Sequence, residues 1–394
     1  MASRKQRALH FVLLVGAMSF FADFTYEGAR GIAGPYLALL GASGLAVGAV
    51  SGLGELLGYG LRLVSGRLAD RTRQFWPITI AGYVVQMAAV PALALTGSWP
   101  AAAALLVLER VGKATRNPPR DVMLSHAGQE MGGYGWAFGL HEALDQAGAL
   151  AGPLVMAAIL AGRHGYRTAF AALGIPALCT LALLAVARAR YPRPEDLAPA
   201  RREISAEGLP RRFWIYLAAT ALVGAGFADF PLIAYHFQKA SVMAAEWTPV
   251  LYAVAMGVGG AGSLLFGRLF DRHGLGVLVP LTLVSAIYAP LAFLFPHAWA
   301  AVGGVVVWGM AMGVHESIVA AAVATMVPAA RRASAYGLFT AAYGVAWFLG
   351  SLALGALYDR SRFALIVVAS ALELAAVPLL IVVARHDGGA RSSR

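Results

Sequence analysis

The sequence predicts an all-α integral membrane protein with twelve transmembrane helices in two parallel six-helix repeats. Three observations predict it: too few charges for a soluble chain, twelve long apolar stretches, and motifs that recur at a nearly constant offset. Of 394 residues, 59% are apolar and 13% charged, whereas a soluble domain carries about 25% charged residues. Mean hydropathy is +0.68. Water could not cover that much apolar surface, but lipid can face it directly.

A transmembrane helix needs about 20 apolar residues. Such stretches fall at roughly 8–38, 45–66, 76–96, 100–125, 134–160, 166–187, 213–238, 248–267, 277–295, 299–326, 333–356 and 363–384. They are too long, and apolar on too many faces, for the alternating strands of a barrel. The first follows Arg4, Lys5 and Arg7 but reads as a helix rather than a signal peptide. No small-residue cleavage site precedes Asp23 and Glu27, and the apolar pattern runs past them. In the fourth, Pro118 and Pro119 should kink or end regular helix near the cytoplasmic side. Between the sixth and seventh lies the one long polar stretch, with Pro192, Pro194, Pro199 and Pro210 among seven arginines and four acids. It reads as a cytoplasmic linker. The expected domains are therefore 1–188, a linker at 189–211, and 212–394. The single cysteine, Cys179, excludes an internal disulfide and a cysteine-rich metal site.

Net charge is +11, yet its placement argues against nucleic acid. With the amino terminus inside, twenty lysines and arginines fall in cytoplasmic segments, five in outer loops and six within helices. That is the positive-inside bias, and it puts both termini in the cytoplasm of a multi-pass inner-membrane protein.

The two halves repeat. Phe21-Ala22-Asp23-Phe24 recurs as Phe227-Ala228-Asp229-Phe230, an offset of 206, and Gly66-Arg67-Leu68-Ala69-Asp70-Arg71 recurs as Gly267-Arg268-Leu269-Phe270-Asp271-Arg272, an offset of 201. Tyr134-Gly135 recurs as Tyr336-Gly337 and Gly148 as Gly350, both at 202. A parallel repeat places a solute site at the midplane between halves and moves it by alternating access.

The repeated Gly-x-x-x-Asp-Arg resembles the loop signature of the major facilitator superfamily. The family pattern continues x-Gly-basic-basic; here Arg73 stands at the first glycine position with Gln74 after it, and the second copy keeps Gly274 without the basic pair. The stretches Glu109–Asp121 and Phe138–Asp145 are similar to bacterial permeases of the same superfamily. The resemblance implies secondary transport of a small molecule or ion by a monomer in lipid, with no cofactor. It implies that helices 1, 4, 7 and 10 line a cavity. It gives Asp70 a latch role at the start of helix 11, just after Arg331 and Arg332, with Asp271 as a weaker counterpart facing helix 5. Gly66, Arg71, Gly267 and Arg272 belong to the same two gate loops. Arg110 falls near the helix-4 arginine of proton-coupled exporters, although the glycine expected four positions later is Ala114.

A charge at the bilayer centre costs about 2.5–3.5 kcal/mol on insertion scales, so it faces protein or water and has a partner. Asp23, Glu27 and Arg30 are spaced i, i+4, i+7 and share one helical face. Two acids beside one arginine suit a proton carrier: the arginine holds one carboxylate ionised and the other is left to load and release a proton. Arg110 is expected to pair with an acid of helix 1 or 5. Glu142 and Asp145 on helix 5 complete the proton-coupling set. Arg116, Arg120 and Asp121 read as a network at the cytoplasmic gate. For solute binding the candidates are Asp229, the repeat partner of Asp23, with Tyr235, His236, His315, Glu316 and Tyr343. His141, Asp145, His315 and Glu316 form the alternative, a divalent transition-metal site; neither His-Glu pair is His-Glu-x-x-His, which disfavours a zinc protease.

These residues imply a proton-coupled secondary transporter, read as an exporter of the antiporter type. The alternatives are a divalent-metal exporter and, from another class, a non-transporting membrane sensor or enzyme. No nucleotide-binding loop, nucleophile-base signature or soluble sensory domain supports the last.

Overall fold

A computed structural model describes residues 4–130, 134–192, 209–314, 322–323, 326–327 and 332–391, apart from the side chains of 4–5, 70, 126–130, 134–138, 332–334 and 386–391. Among the described residues the chain is helical throughout, without strands. The helices are α1 (Arg4–Leu39), α2 (Gly44–Thr72), α3 (Phe75–Ala92), α4 (Trp99–Glu130), α5 (Tyr134–Ala161), α6 (Gly165–Ala172), α7 (Gly174–Arg190), α8 (Arg211–Gly226), α9 (Phe230–Lys239), α10 (Trp247–His273), α11 (Leu278–Ser285), α12 (Tyr288–Phe293), α13 (Ala298–Val314), α14 (Arg332–Arg360) and α15 (Arg362–Arg391).

Nine stretches among the described residues are long and apolar enough to cross a membrane. The longest, Trp247–Phe293, holds two of the predicted segments, and the shorter apolar helix Ala298–Val314 belongs to a third. The fourth predicted segment lies in the charge-bearing α4. The protein is thus an all-helical, multi-pass membrane protein whose helices follow the twelve predicted segments in order. Large apolar side chains such as Ile175, Leu178, Leu264 and Phe363 stand exposed on its helices, as lipid-facing positions do.

Three predicted segments are interrupted. The sixth divides at Leu173 into α6 and α7, the seventh at Phe227–Asp229 into α8 and α9, and the ninth at Ala286–Ile287 into α11 and α12. Conversely, α4 does not end at Pro118–Pro119; it continues to Glu130. Proline at 118 leaves the carbonyl of Ala114 without its helical donor. The Ser65 hydroxyl donates to that carbonyl at 3.1 Å, which satisfies the freed group and lets the helix run on.

The helices form two compact units. Unit 1 comprises 1–41, 57–201 and 245–253; unit 2 comprises 42–56, 202–244 and 254–394. Within unit 1, α1 packs along α5 and also meets α4 and α7. Glycine makes the α1–α5 approach possible: a Cβ on Gly148 or Gly152 would collide with the carbonyl of Phe20 or Phe24. Within unit 2 the corresponding crossing is α8 on α14, where a Cβ on Gly350 would collide with the carbonyl of Ala225. The offset of 202 between Gly148 and Gly350 is therefore a repeat of packing as well as of sequence.

Candidate functional site

In unit 1 the polar side chains of α1, α3, α4 and α5 converge. Gly82 of α3 and Gly112 of α4 set the spacing, since a Cβ on either would lie within 2.7 Å of the other helix's backbone. This close approach brings Tyr83 and Gln86 to Arg116. The Arg116 guanidinium is completely buried. Its Nε donates to Gln86 Oε1 at 2.6 Å, one terminal nitrogen donates to Tyr83 Oη at 2.9 Å, and the other reaches Asp23 Oδ1 at 3.5 Å. The same guanidinium lies 4.4 Å from the Tyr83 ring centroid.

One turn earlier on α4, the Lys113 ammonium stands 4.0 Å from Asp23 Oδ1 and 3.9 Å from Glu27 Oε1. It also sits 3.5 Å from the Tyr26 ring centroid. Glu27 accepts a short hydrogen bond, 2.5 Å, from the hydroxyl of Tyr252, which the segment Ala245–Ala253 brings into this unit. The two α1 acids thus share one lysine, while Asp23 has an arginine and Glu27 a tyrosine hydroxyl as second partner.

Arg30 donates to the Tyr26 hydroxyl at 3.1 Å. Arg110 lies beside its neighbour Glu109 at 3.8 Å and over the Tyr26 ring at 4.9 Å. Glu109 in turn accepts from Gln86 Nε2 at 2.8 Å. Lys113 thus bridges the two α1 acids, and Arg116, three residues on along α4, adds a second cation at Asp23.

A second branch begins at Arg120. It donates to Asp121 Oδ1 at 2.8 and 3.0 Å and to Ser19 Oγ at 3.2 Å. Ser19 Oγ lies 2.9 Å from His141 Nε2. Ser19 can donate to His141 Nε2 or accept from it while it accepts from Arg120, according to the imidazole tautomer. The other ring nitrogen, Nδ1, faces Asp145 Oδ2 at 3.6 Å, and among the described residues Asp145 Oδ1 is buried without a hydrogen-bond partner. Glu142 is exposed and accepts from Gln146 at 3.2 Å. One ligand atom from each of His141, Glu142 and Asp145 lies within 4.8 Å of the others, so among the described residues these three are the groups that could hold a metal.

In unit 2, Asp229 lies at the head of α9, just past the break that ends α8. Its Oδ2 accepts from Trp347 Nε1 and Ser351 Oγ, both at 3.1 Å. Tyr343 packs edge-on to Trp347 and face-on to Phe339. Further along α9, the buried Tyr235 donates to the carbonyl of Ala42 at 2.9 Å and accepts from Lys239 at 3.0 Å. Buried His236 Nδ1 is 3.0 Å from the Tyr358 hydroxyl. Asp229 and Tyr343 therefore meet around Trp347, whereas Tyr235 and His236 contact a different set. His315 and Glu316 lie outside the described residues.

Of the gate-loop residues, Arg71, Asp271 and Arg272 are exposed helix-end groups, and the Asp70 side chain lies outside the described set. Gly66 faces Pro118, while nothing lies near Gly267. Arg73 and Gly274 both adopt positive φ, 55° and 67°.

Sequence reasoning did not single out Ser19, Tyr26, Tyr83, Gln86 or Tyr252 for this site. Gln86 carried a signal, an amide in the middle of an apolar run. The tyrosines carried none, because tyrosine is ordinary in such helices.

Comparison with known proteins gives one answer. The model of the Major Facilitator Superfamily matches residues 12–351. An uncharacterised protein of Mycobacterium tuberculosis is 44% identical over 383 residues, 95% of this chain and 93% of that one. An uncharacterised MFS-type transporter of Methanocaldococcus jannaschii is 24% identical over 359 residues, 89% of each chain. Among solved structures, the nucleoside transporter NupG aligns with a TM-score of 0.71 at 15% identity, over 95% of this chain and 98% of that one. A peptide transporter, POT, in complex with sulfate gives 0.70 at 14%, over 97% of each chain. With the family model spanning most of its length and its helices in the order of that fold, the chain belongs to the Major Facilitator Superfamily, and it is a transporter rather than an enzyme.

Proposed function

We propose that the chain is a proton-coupled secondary transporter that exports a small solute by alternating access, working as a monomer in the cytoplasmic membrane with both termini inside. The observation that carries the coupling is the Asp23–Lys113–Glu27 bridge. Two carboxylates share one cation, so protonating either one hands the lysine to the other. Proton arrival thus rearranges the ion pairs without leaving a buried charge alone, which would be costly. Arg116 anchors Asp23, and the Tyr252 hydroxyl gives Glu27 a second partner. The branch Arg120–Ser19–His141–Asp145 offers a second carboxylate through which a proton can pass. Arg30, Arg110 and Glu142 tune this set from its edge.

Asp229, with Trp347, Ser351 and Tyr343 around it, is the proposed solute contact in the second unit, and Tyr235, His236, His315 and Glu316 extend it. Gly66, Asp70, Arg71, Gly267, Asp271 and Arg272 form the gate loops, and Arg116, Arg120 and Asp121 on α4 form a network at the cytoplasmic gate. Residues 1–188 and 212–394 are the two bundles and 189–211 their linker. The positive-inside bias supports the orientation.

The test is flux in proteoliposomes. After a ligand screen by thermal shift, transport of the hit should accelerate under an imposed pH gradient. Asp23→Asn and Glu27→Gln should each remove that response. Normal coupling in both variants sinks the site assignment.

The cluster His141, Glu142 and Asp145 supports a second reading, export of a divalent transition metal. Its signature is thermal stabilisation by a transition metal that His141→Ala removes; no stabilisation by any such metal excludes it.

A further inference from the structure

We propose that Glu373 is a proton-binding site of the second unit, separate from the acids of α1, α4 and α5. Glu373 lies midway along α15 and has no exposed surface. Among the described residues no group meets hydrogen-bond geometry with either carboxylate oxygen; the buried hydroxyl of Ser285 is the polar side chain beside it, close enough to act on the carboxyl. Its Cγ lies against Gly226, the last residue of α8.

Among the described residues, the helices packed against α15 place no counter-ion beside Glu373. These are α8, α11, α12, α14 and the turn Gly274–Val277. Their described charged groups stand at helix ends: Arg211 and Arg212 open α8, while Asp359 and Arg360 close α14. The titratable group on α12 is Tyr288, whose hydroxyl is already engaged with the backbone of Gly226 and Ala228. Asp229, three residues past Gly226, accepts from Trp347 and Ser351.

An ionised carboxylate in such a place costs several kcal/mol unless a positive charge joins it. A hard cation needs about six oxygen ligands, and Glu373 with Ser285 offers half that number. A proton needs one oxygen. The proposed route starts at the cavity of about 30 Å³ that Ser285 and Thr282 line with Thr220 and Tyr343, room for about two waters. The proton leaves water in that cavity, passes by the Ser285 hydroxyl and forms an O–H bond on the carboxylate; release runs the same steps backward.

Glu373 presses on the residue before the α8–α9 break, so gain or loss of its proton places or removes a charge at that joint. This link to the solute cycle rests on the transport reading above, whereas proton binding itself does not.

Infrared difference spectroscopy on the purified full chain in lipid nanodiscs, between acid and alkaline buffer, tests it. A carbonyl band of a protonated buried acid should disappear in Glu373→Gln and persist in Asp23→Asn/Glu27→Gln. Ser285→Ala, which keeps the carboxyl, should move the same band. The wild-type melting temperature should fall on going to alkaline buffer more than that of Glu373→Gln, whose neutral amide resembles the protonated acid. A band that Glu373→Gln leaves in place and Ser285→Ala does not move overturns the proposal. So does sodium-dependent stabilisation that Glu373→Gln abolishes, which would make the occupant a metal ion. An intact Glu373 band with pH-insensitive flux would refute proton coupling of transport and leave this site standing.

Discussion

Arg73 and Gly274, 201 residues apart, hold the same left-handed backbone at the same point of the two repeats, with φ of 55° and 67°. Each ends the polar turn after a long helix, α2 or α10. Glycine adopts that conformation freely, while a side chain there costs about 1–2 kcal/mol. The first copy therefore carries local strain that the second avoids. Arg73→Gly should stabilise the protein by about 1 kcal/mol, and Gly274→Ala should destabilise it by a similar amount. Melting temperatures in one detergent would check both, and an unchanged Gly274→Ala would refute the strain argument.

Arg116 in unit 1 has three side-chain partners and no exposed surface. Removing one member of a buried charged network leaves the others uncompensated, at about 3–5 kcal/mol. Arg116→Met should lose stability on that scale, and Arg116→Lys should not restore it, because an ammonium lacks the fork that meets Gln86 and Tyr83 together. Asp23→Asn keeps an acceptor oxygen and should be milder. Chemical denaturation in detergent would rank the three; Arg116→Lys behaving like wild type would contradict the geometry.

Gly148 and Gly350 should respond alike, because each lies against a carbonyl of the facing helix. Alanine at either should cost about 1–3 kcal/mol by overpacking. Gly60 provides the contrast. It is exposed on α2 with nothing near it, so Gly60→Ala should be neutral or stabilise by about 0.5–1 kcal/mol. Equal effects at all three positions would dissociate the losses from helix contact.

Asp359 binds the first turn of α2 through both oxygens, accepting from Gly44 N at 2.7 Å and Leu45 N at 2.8 Å. It acts as an N-cap supplied from another helix. Loss of a cap costs about 0.5–2 kcal/mol, and the exposed position puts Asp359→Ala at the lower end. Hydrogen exchange should speed up at Gly44 and Leu45 while the rest of α2 keeps its protection. Uniform exchange along α2 would show that the cap is dispensable.

Much of the architecture was legible because bilayer physics is severe. A helix of about 20 apolar residues and a biased arginine distribution leave few alternatives, and the motif offsets reappear as repeated packing at Gly148 and Gly350. The acids of α1 were legible for the same reason: Asp23 and Glu27 stand out in an apolar run. Their partners were not. Arg30, Arg110, Lys113 and Arg116 are all cations within reach in sequence, and the choice among them depends on how closely α3 and α4 approach at Gly82 and Gly112. Nor could spacing show that Pro118 would be accommodated, since the compensating hydroxyl of Ser65 comes from another helix. Glu373 was passed over because a lone acid in the last segment has no neighbour in sequence to suggest a role.

The tetrapeptide Phe-Ala-Asp-Phe lies inside the unbroken α1 in its first copy and at a helix break in its second. The residue that follows accounts for the difference. Thr25 has a backbone N–H for the helix that runs on through it, and its hydroxyl donates to the carbonyl of Phe21 as well, whereas Pro231 has no N–H to give Phe227. At the break the hydroxyl of Tyr288 donates to the carbonyl of Gly226 and accepts from the amide of Ala228, and Trp308 donates to the carbonyl of Ala228. One copy is consequently a stiff rod, able to transmit torque along its whole length. The other is a jointed lever whose two arms can change angle without breaking a rung of either helix, and the side chains of Tyr288 and Trp308 act as its bearing.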